Sequence, residues 1–330
     1  MSDIDPAVLD RAGEVVGTRW PGSGVTGLRL LPGHSGLTAR AELSGAGAPP
    51  VVVLKMCPPG RQPEGRHDVL RQATLIQELS RVSDVPVPAT LAIDRRDPPA
   101  VIQEWVDGEA AEPVLDMEPG TVEGPVIAGR FRAAAEVLAR LHALDPAALV
   151  TTAGVAATSP GEEVERWLPT MRSVDPELAR GAGELYEELM RDVPSILTPR
   201  IVHGDYRLGN VMCSGVAVAA VVDWEIWSVG DPRVDLAWFR IMTAPQDLPG
   251  MSTPQPGVPT AEGLLADYEA EAGGSVGEMA WFDAAIRYKM AAIMGNNLKR
   301  HRTGARHDPY QERLVETIPT LIRRGLEILS

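Results

Sequence analysis

At Asp107-Gly108 the hydrophobic pattern of this chain changes period, and no other feature constrains its fold as much. Before that point, short apolar runs at 25–31, 38–43, 51–56, 89–94 and 99–106 are bounded by Gly and Pro, which predicts five strands. Between the third and fourth runs, Leu70, Leu75, Ile76 and Leu79 recur at helical spacing and predict a helix over 67–81. Beyond it, Phe131, Ala135, Leu138 and Leu141 form one helical stripe and Leu178, Ala182, Leu185 and Leu189 another. Further helices are expected over 231–243, 261–271, 277–299 and 309–328, with strand-like pieces only at 200–203 and 216–222. The expected class is α+β: a small antiparallel-sheet lobe over 1–107 and a larger, mostly helical lobe over 108–330. Residues 244–260 hold five prolines and no periodicity, the pattern of a functional loop or a disordered one.

Charge and cysteine content remove several function classes. With 45 acidic against 31 basic residues the net charge is −14, which speaks against a nucleic-acid partner. Two cysteines, Cys57 and Cys213, cannot build a disulfide framework or a four-ligand zinc site. The first residues lack a basic and apolar leader, and the apolar run 216–222 is too short to span a bilayer. The expectation is a soluble chain in a reducing, cytoplasmic setting with no membrane partner; the oligomeric state stays open.

The excess negative charge is localised. Residues 1–107 hold 13 acidic and 11 basic side chains, leaving 32 against 20 in the rest of the chain. Glu162, Glu163, Glu165, Glu184, Glu187 and Glu188 contribute to it. Such a lobe suits a cationic acceptor, and solvated helix faces account for the acidity equally well.

The basic residues are 28 Arg and only three Lys, at 55, 289 and 299. Arg has replaced Lys almost everywhere a generic positive charge would serve, so each remaining Lys marks a place where a compact ammonium is needed. Lys55 lies near the end of the strand-like run Val51–Met56 and is the only lysine in the first 288 residues.

The densest chemistry lies in His203-Gly204-Asp205-Tyr206-Arg207-Leu208-Gly209-Asn210, followed by Val221-Val222-Asp223-Trp224-Glu225. A His, an Asp two residues on, an Asn seven residues from the His and a later Asp after an apolar strand reproduce the order of a kinase catalytic loop. Phosphoryl transfer needs a carboxylate that orients or deprotonates the attacking hydroxyl, and oxygen ligands that hold Mg²⁺ against the nucleotide phosphates. Asp205 fits the first role and Asn210 with Asp223 the second, while His203 is expected to brace the loop. Two oxygen ligands completed by phosphates and waters suit Mg²⁺.

With Gly230-Asp231-Pro232-Arg233-Val234-Asp235-Leu236-Ala237 added, the chain resembles the aminoglycoside phosphotransferase family of small-molecule kinases. The Asp-Trp-Glu form and the tail after it look most like the branch related to kinase-like domains fused to acyl-CoA dehydrogenases. The resemblance implies a bilobal protein-kinase-like fold, ATP or GTP with Mg²⁺ as the donor system, and transfer of the γ-phosphoryl group to a hydroxyl of a small molecule: an aminoglycoside or macrolide antibiotic, or a hydroxylated metabolite such as a hydroxy acid or its acyl derivative, which the motif form favours. It makes Lys55 the phosphate-pairing lysine and puts Gln72 where the family carries Glu, with Glu78 facing elsewhere. It sets the inter-lobe hinge at Gln103–Gly108, with adenine against backbone groups of Glu104 and Val106. Arg207 is expected at the transferred phosphate or at the substrate, and Asp231 and Asp235 as structural braces.

Two glycine segments compete for the phosphate-covering loop. Gly22-Ser23-Gly24-Val25-Thr26-Gly27 matches a dinucleotide string but precedes a strand and opens no helix. Pro32–Thr38 lies between two strand-like runs and resembles the family's glycine turn, with Gly33 and the Ser35 hydroxyl meeting the β-phosphate. The alternative to an active kinase is a catalytically weak nucleotide-binding scaffold, favoured by Gln72 and opposed by the intact Asp205, Asn210 and Asp223.

Overall fold

The computed structural model describes residues 4–31, 37–58, 60–114, 122–250 and 255–330. They form two compact units, the first comprising residues up to 108 with 149–153 and 219–227, and the second the remainder.

In the first unit, β1 (Gly24–Leu30), β2 (Leu37–Ser44), β3 (Val51–Met56), β4 (Thr90–Asp94) and β5 (Ala100–Glu104) make one sheet in the order β1-β2-β3-β5-β4. Every neighbouring pair is antiparallel, as the strand spacing predicts. Helix α2 (Val69–Val82) is capped by Asp68, whose side chain accepts from the Arg71 N–H. The period of two along a strand divides the sheet's faces. Val52, Leu54, Met56, Ala100 and Ile102 point into one core, whereas Val101 packs with Val69 and Ala73 of α2 on the opposite face. Lys55 pairs in register with Val101 and so shares the α2 face.

The first core is closed by a helix the sequence reading missed, α1 (Pro6–Arg19), through Val8, Ala12, Val15 and Val16. Its apolar stripe is interrupted by glycines and by the buried Arg11, which weakens the periodic signal. The start was legible nonetheless: Asp5 caps the helix and Pro6 occupies its first turn. Arg11 is satisfied by the carbonyls of Pro98 and Arg96 and by Asp94.

The second unit is helical: α3 (Gly124–Ala143), α4 (Pro160–Arg172), α5 (Ala182–Arg191), α6 (Arg233–Ile241), α7 (Ala261–Ala272), α8 (Ala280–Arg302) and α9 (Thr317–Leu329). Helix α4 was also missed, although Ser159 and Glu162 form a full capping box at its start. The stripe from Leu178 becomes helical only at Ala182, and the expected helix over 309–328 is split into a 3₁₀ turn, Pro309–Val315, and α9. Helix α8 is buried along most of its length and packs against α4, α6 and α9. Short strands β6 (Arg200–Val202) and β9 (Ser228–Gly230) pair antiparallel, β7 spans Val211–Ser214, and β8 spans Ala217–Val221.

Among the described residues no helix is long and apolar enough to cross a membrane. Cys57 and Cys213 are buried free thiols. Within 244–260, residues 251–254 lie outside the described residues; Pro245–Asp247 forms a 3₁₀ turn.

Candidate active site

In the second unit, β6 delivers the chain into the 203–210 loop. The His203 and Gly204 N–H groups both donate to Asp235 on α6, at 2.6 and 2.7 Å. His142 of α3 approaches the same carboxylate at 3.4 Å, and Asp235 has no exposed surface. Burial pushes this carboxyl up, but the hydrogen bond and charge of His142, the charge of His203 and the Gly204 N–H outweigh it and hold its pKa below the ordinary carboxylate value. Gly204 sits at φ 89°, a region that glycine enters without strain. His203 Nδ1 accepts from the Asp205 N–H at 3.3 Å, which fits the bracing role expected of it. Buried Tyr206 donates to the Ala134 carbonyl at 2.7 Å and meets Phe239 edge to face, anchoring the loop to α3 and α6.

The Asp205 carboxylate is held by three donors. Oδ1 accepts from Trp238 Nε1 at 2.8 Å and lies 3.3 Å from Arg207 Nε; Oδ2 accepts from Asn210 Nδ2 at 2.8 Å. Asn210 Nδ2 also donates to the Asp205 carbonyl at 2.8 Å, so its amide oxygen is the atom left for a hard cation. Arg207 reaches the carboxylate of the buried Glu112 at 3.1 Å, and the Gly209 N–H donates to the same oxygen at 3.1 Å. A Cβ at 209 would come within 2.0 Å of Arg207 Nη1, so a larger residue there would displace the Arg207 guanidinium from its present place. Glu112 and Trp238 were missed as site residues. Their contacts span 95 and 33 residues of sequence, beyond any local pattern. Asp231 accepts from the Leu197 and Arg233 N–H groups and pairs with the Arg233 guanidinium, a structural role like that of Asp235.

In the first unit, Lys55 Nζ donates to Gln72 Oε1 at 3.2 Å, and Gln72 is buried on α2. Glu78 instead accepts from the Val150 and Thr151 N–H groups at 3.0 and 2.9 Å, facing away from Lys55 as the sequence suggests. Asp223 is the only described non-glycine residue with positive φ, 66°. Such a conformation costs on the order of 1–3 kcal/mol and is tolerated best by Asp and Asn. Glu104 ends β5, where its N–H donates to the Ala89 carbonyl at 2.9 Å and its carboxylate accepts from the Ala89 N–H at 3.1 Å. Val106 follows, half-buried. Gly33 and Ser35 lie outside the described residues. The string from Gly22 runs into β1 and opens no helix, so it is no dinucleotide fingerprint.

Among the described residues there is no cluster of three or more His, Cys, Asp or Glu able to hold a metal by itself. An amide or carboxylate oxygen of the kind each unit offers suits a hard cation completed by phosphates and water rather than a protein cage.

The chain is similar to known proteins. Human acyl-CoA dehydrogenase family member 11 is 26% identical over 290 residues, a match covering 84% of this chain but 37% of that protein. The chain therefore spans little more than a third of the relative's length. A crystal structure from Ralstonia eutropha JMP134, of a protein named after the aminoglycoside phosphotransferases, superposes with a TM-score of 0.77 at 20% identity, covering 97% of both chains. A thermostable variant of aminoglycoside phosphotransferase APH(4)-Ia, in ternary complex with AMP-PNP and hygromycin B, gives 0.59 at 14% identity over 98% of both. These likenesses establish the kinase-like fold. The model of the phosphotransferase enzyme family matches residues 28–282, and the chain belongs to that family.

Proposed function

We propose that the protein is a Mg²⁺-dependent kinase that moves the γ-phosphoryl group of ATP or GTP onto a hydroxyl of a small metabolite. The observation that carries this reading is the Asp205 carboxylate, one-quarter exposed yet fixed through both oxygens by Trp238, Arg207 and Asn210. A carboxylate so oriented can accept the proton of an attacking hydroxyl or aim its lone pair, and it needs no reorganisation to do so. Asn210 and Asp223 are the Mg²⁺ ligands, and the strained backbone of Asp223 supports that role. When bound, Mg²⁺ neutralises charge on the nucleotide phosphates. Lys55, oriented by Gln72, pairs with those phosphates; Gly33 and Ser35 cover them; backbone groups of Glu104 and Val106 meet the base. Arg207, held by Glu112, steers the transferred phosphoryl group. The AMP-PNP complex of the APH(4)-Ia neighbour supports a nucleotide donor.

Six of the acidic residues of the helical unit are spent on helix structure or solvent, which removes them as an argument for a cationic antibiotic as acceptor. Glu162 is consumed by the α4 capping box, Glu163 pairs with Arg166 and Lys289, and Glu188 pairs with Arg191. Glu165, Glu184 and Glu187 are exposed on helix faces. That disposition is what solvated helices show, so these six residues give no particular support to a cationic acceptor. The human relative, named for acyl-CoA dehydrogenases, points to a hydroxy acid or its acyl derivative.

Nucleotide with Mg²⁺ is expected to raise the thermal midpoint by several degrees, since ligand at about 100 times Kd adds about 2.7 kcal/mol. Asn210→Ala and Asp223→Ala should each lose the Mg²⁺-dependent part of that shift. A midpoint indifferent to Mg²⁺, ATP and GTP contradicts the reading. Gln72 supplies the test of the scaffold alternative. Gln72→Glu restores a charged partner to Lys55, and phosphoryl transfer is expected to change by less than about tenfold, the scale of a partly exposed ion pair. A rise of several hundredfold over a nearly inactive parent would identify a scaffold.

A further inference from the structure

The catalytic reading leaves two of the three lysines unused: Lys299 is exposed, whereas Lys289 is buried and its surroundings are unusual. It lies on α8 with its side chain 3% exposed. Removing an ammonium from water costs several kcal/mol unless partners replace the lost hydration. Four groups face it here. Nζ donates to the Gly204 carbonyl at 3.0 Å, lies 3.6 Å from Glu163 of α4, and sits 4.7 and 5.5 Å from the ring centres of Trp238 and Trp167. The Gly204 carbonyl belongs to the peptide that enters Asp205.

The peptide units around Gly204 are thus gripped from two helices: Asp235 of α6 takes the Gly204 N–H, and Lys289 of α8 takes its carbonyl. The ring of Trp238, over which the ammonium rests, donates its own N–H to Asp205 Oδ1. Backbone and carboxylate of the same residue are therefore fixed by one contiguous unit. A core filler at 289 would be served by Met or Leu, and a planar guanidinium could not place one compact charge between a carbonyl and two ring faces.

We propose that Trp238 and Lys289 are positioning residues of the phosphoryl transfer: Lys289 fixes the Gly204–Asp205 peptide and the Trp238 ring, and Trp238 sets the rotamer of the Asp205 carboxylate. The inference rests on the reading of Asp205 as the residue that receives the hydroxyl. Loss of the Trp238 contact leaves Oδ1 with Arg207 alone and loosens the carboxylate, and displacement of a reacting group by about 1 Å costs on the order of 100-fold in rate.

Trp238→Phe keeps an aromatic face beside Lys289 and removes the indole N–H with part of the ring volume, a smaller folding risk than emptying the Lys289 site. With Mg²⁺–ATP as probe and water as acceptor, it is expected to lower kcat about 10- to 100-fold while KM for ATP changes less than about threefold. In an Asp205→Asn background the same substitution is expected to have no further effect, because the two residues act as one unit. A contact test that needs no turnover accompanies it. The indole ¹⁵N–H resonance that Trp238→Phe removes should move in Asp205→Asn, as its acceptor changes from carboxylate to amide. An unchanged kcat in Trp238→Phe, additive losses in the double variant, or an unmoved indole resonance overturns the proposal. Parental turnover in Asp205→Asn alone overturns the reading of Asp205 and the positioning role with it. A large loss there, beside a fully active Trp238→Phe, removes only the positioning role.

Discussion

Asp205→Asn lowers phosphoryl transfer by about 10²- to 10⁴-fold, the range that a positioned general base contributes, and leaves nucleotide binding in place. The carboxamide is nearly isosteric but cannot take a proton. Its effect also spreads through the local hydrogen bonds. In the parent, both carboxylate oxygens accept, from Trp238 and Arg207 on one side and from Asn210 Nδ2 on the other. An asparagine can keep its oxygen toward Trp238 and Arg207 only by turning its NH₂ toward the Asn210 NH₂, and two donors then face each other. Relief by rotation of Asn210 would withdraw that residue's amide oxygen from the cation. Measured together, kcat and the nucleotide-induced thermal shift separate these effects: kcat falls by orders of magnitude while the shift shrinks modestly. Parental turnover in this variant removes Asp205 from the chemistry.

Asp235→Ala is expected to be the most damaging single change to stability, at about 3–5 kcal/mol. Its carboxylate is buried and accepts two short backbone hydrogen bonds from the 203–210 loop as well as facing His142. Truncation leaves the His203 and Gly204 N–H groups buried without an acceptor, each costing about 1–3 kcal/mol. For a chain of this size the thermal midpoint should fall by roughly 10 °C. The pH dependence follows from the direction of its shift. Because the folded-state pKa is depressed, the charge contributes fully above the unfolded value of about 3.9 and is lost as pH falls through the lower folded value. The gap between parent and variant should therefore narrow in denaturation curves taken below about pH 4. A midpoint within a degree or two of the parent would show that the loop is held by something else.

How much of this was legible in the sequence depended on the range of the interaction. The strand order around Lys55, the helix bearing Gln72 and the 203–210 loop with its later Asp223 were readable, because each rests on local periodicity or fixed spacing. Even the departure at Gln72 was readable, and the structure has its amide accepting from Lys55. Helices α1 and α4 were missed although their caps were written in Asp5-Pro6 and in Ser159 with Glu162. In both, buried positions are interrupted by small or charged residues, and the apolar stripe alone was too thin. Strand β9, three residues long, exists only through its pairing with β6, which local patterning does not encode. Trp238, Glu112 and Lys289 reach the loop across 33, 95 and 85 residues, so tertiary packing alone makes them part of the site. For Lys289 a signal existed: in a chain that writes Arg for nearly every cation, the rare lysines are informative.

The proposed activity of this member of the phosphotransferase enzyme family is transfer to a small hydroxylated metabolite through Asp205. It is tested most directly by following γ-labelled ATP and GTP with Mg²⁺ against a panel of hydroxy acids, their coenzyme A esters, and aminoglycoside and macrolide antibiotics, using the parent chain and Asp205→Asn side by side. Mg²⁺-dependent label is expected on a hydroxy acid or its acyl derivative in the parent and on nothing in the variant. Label on the antibiotics alone, label that persists in Asp205→Asn, or no transfer to any member of the panel would contradict it.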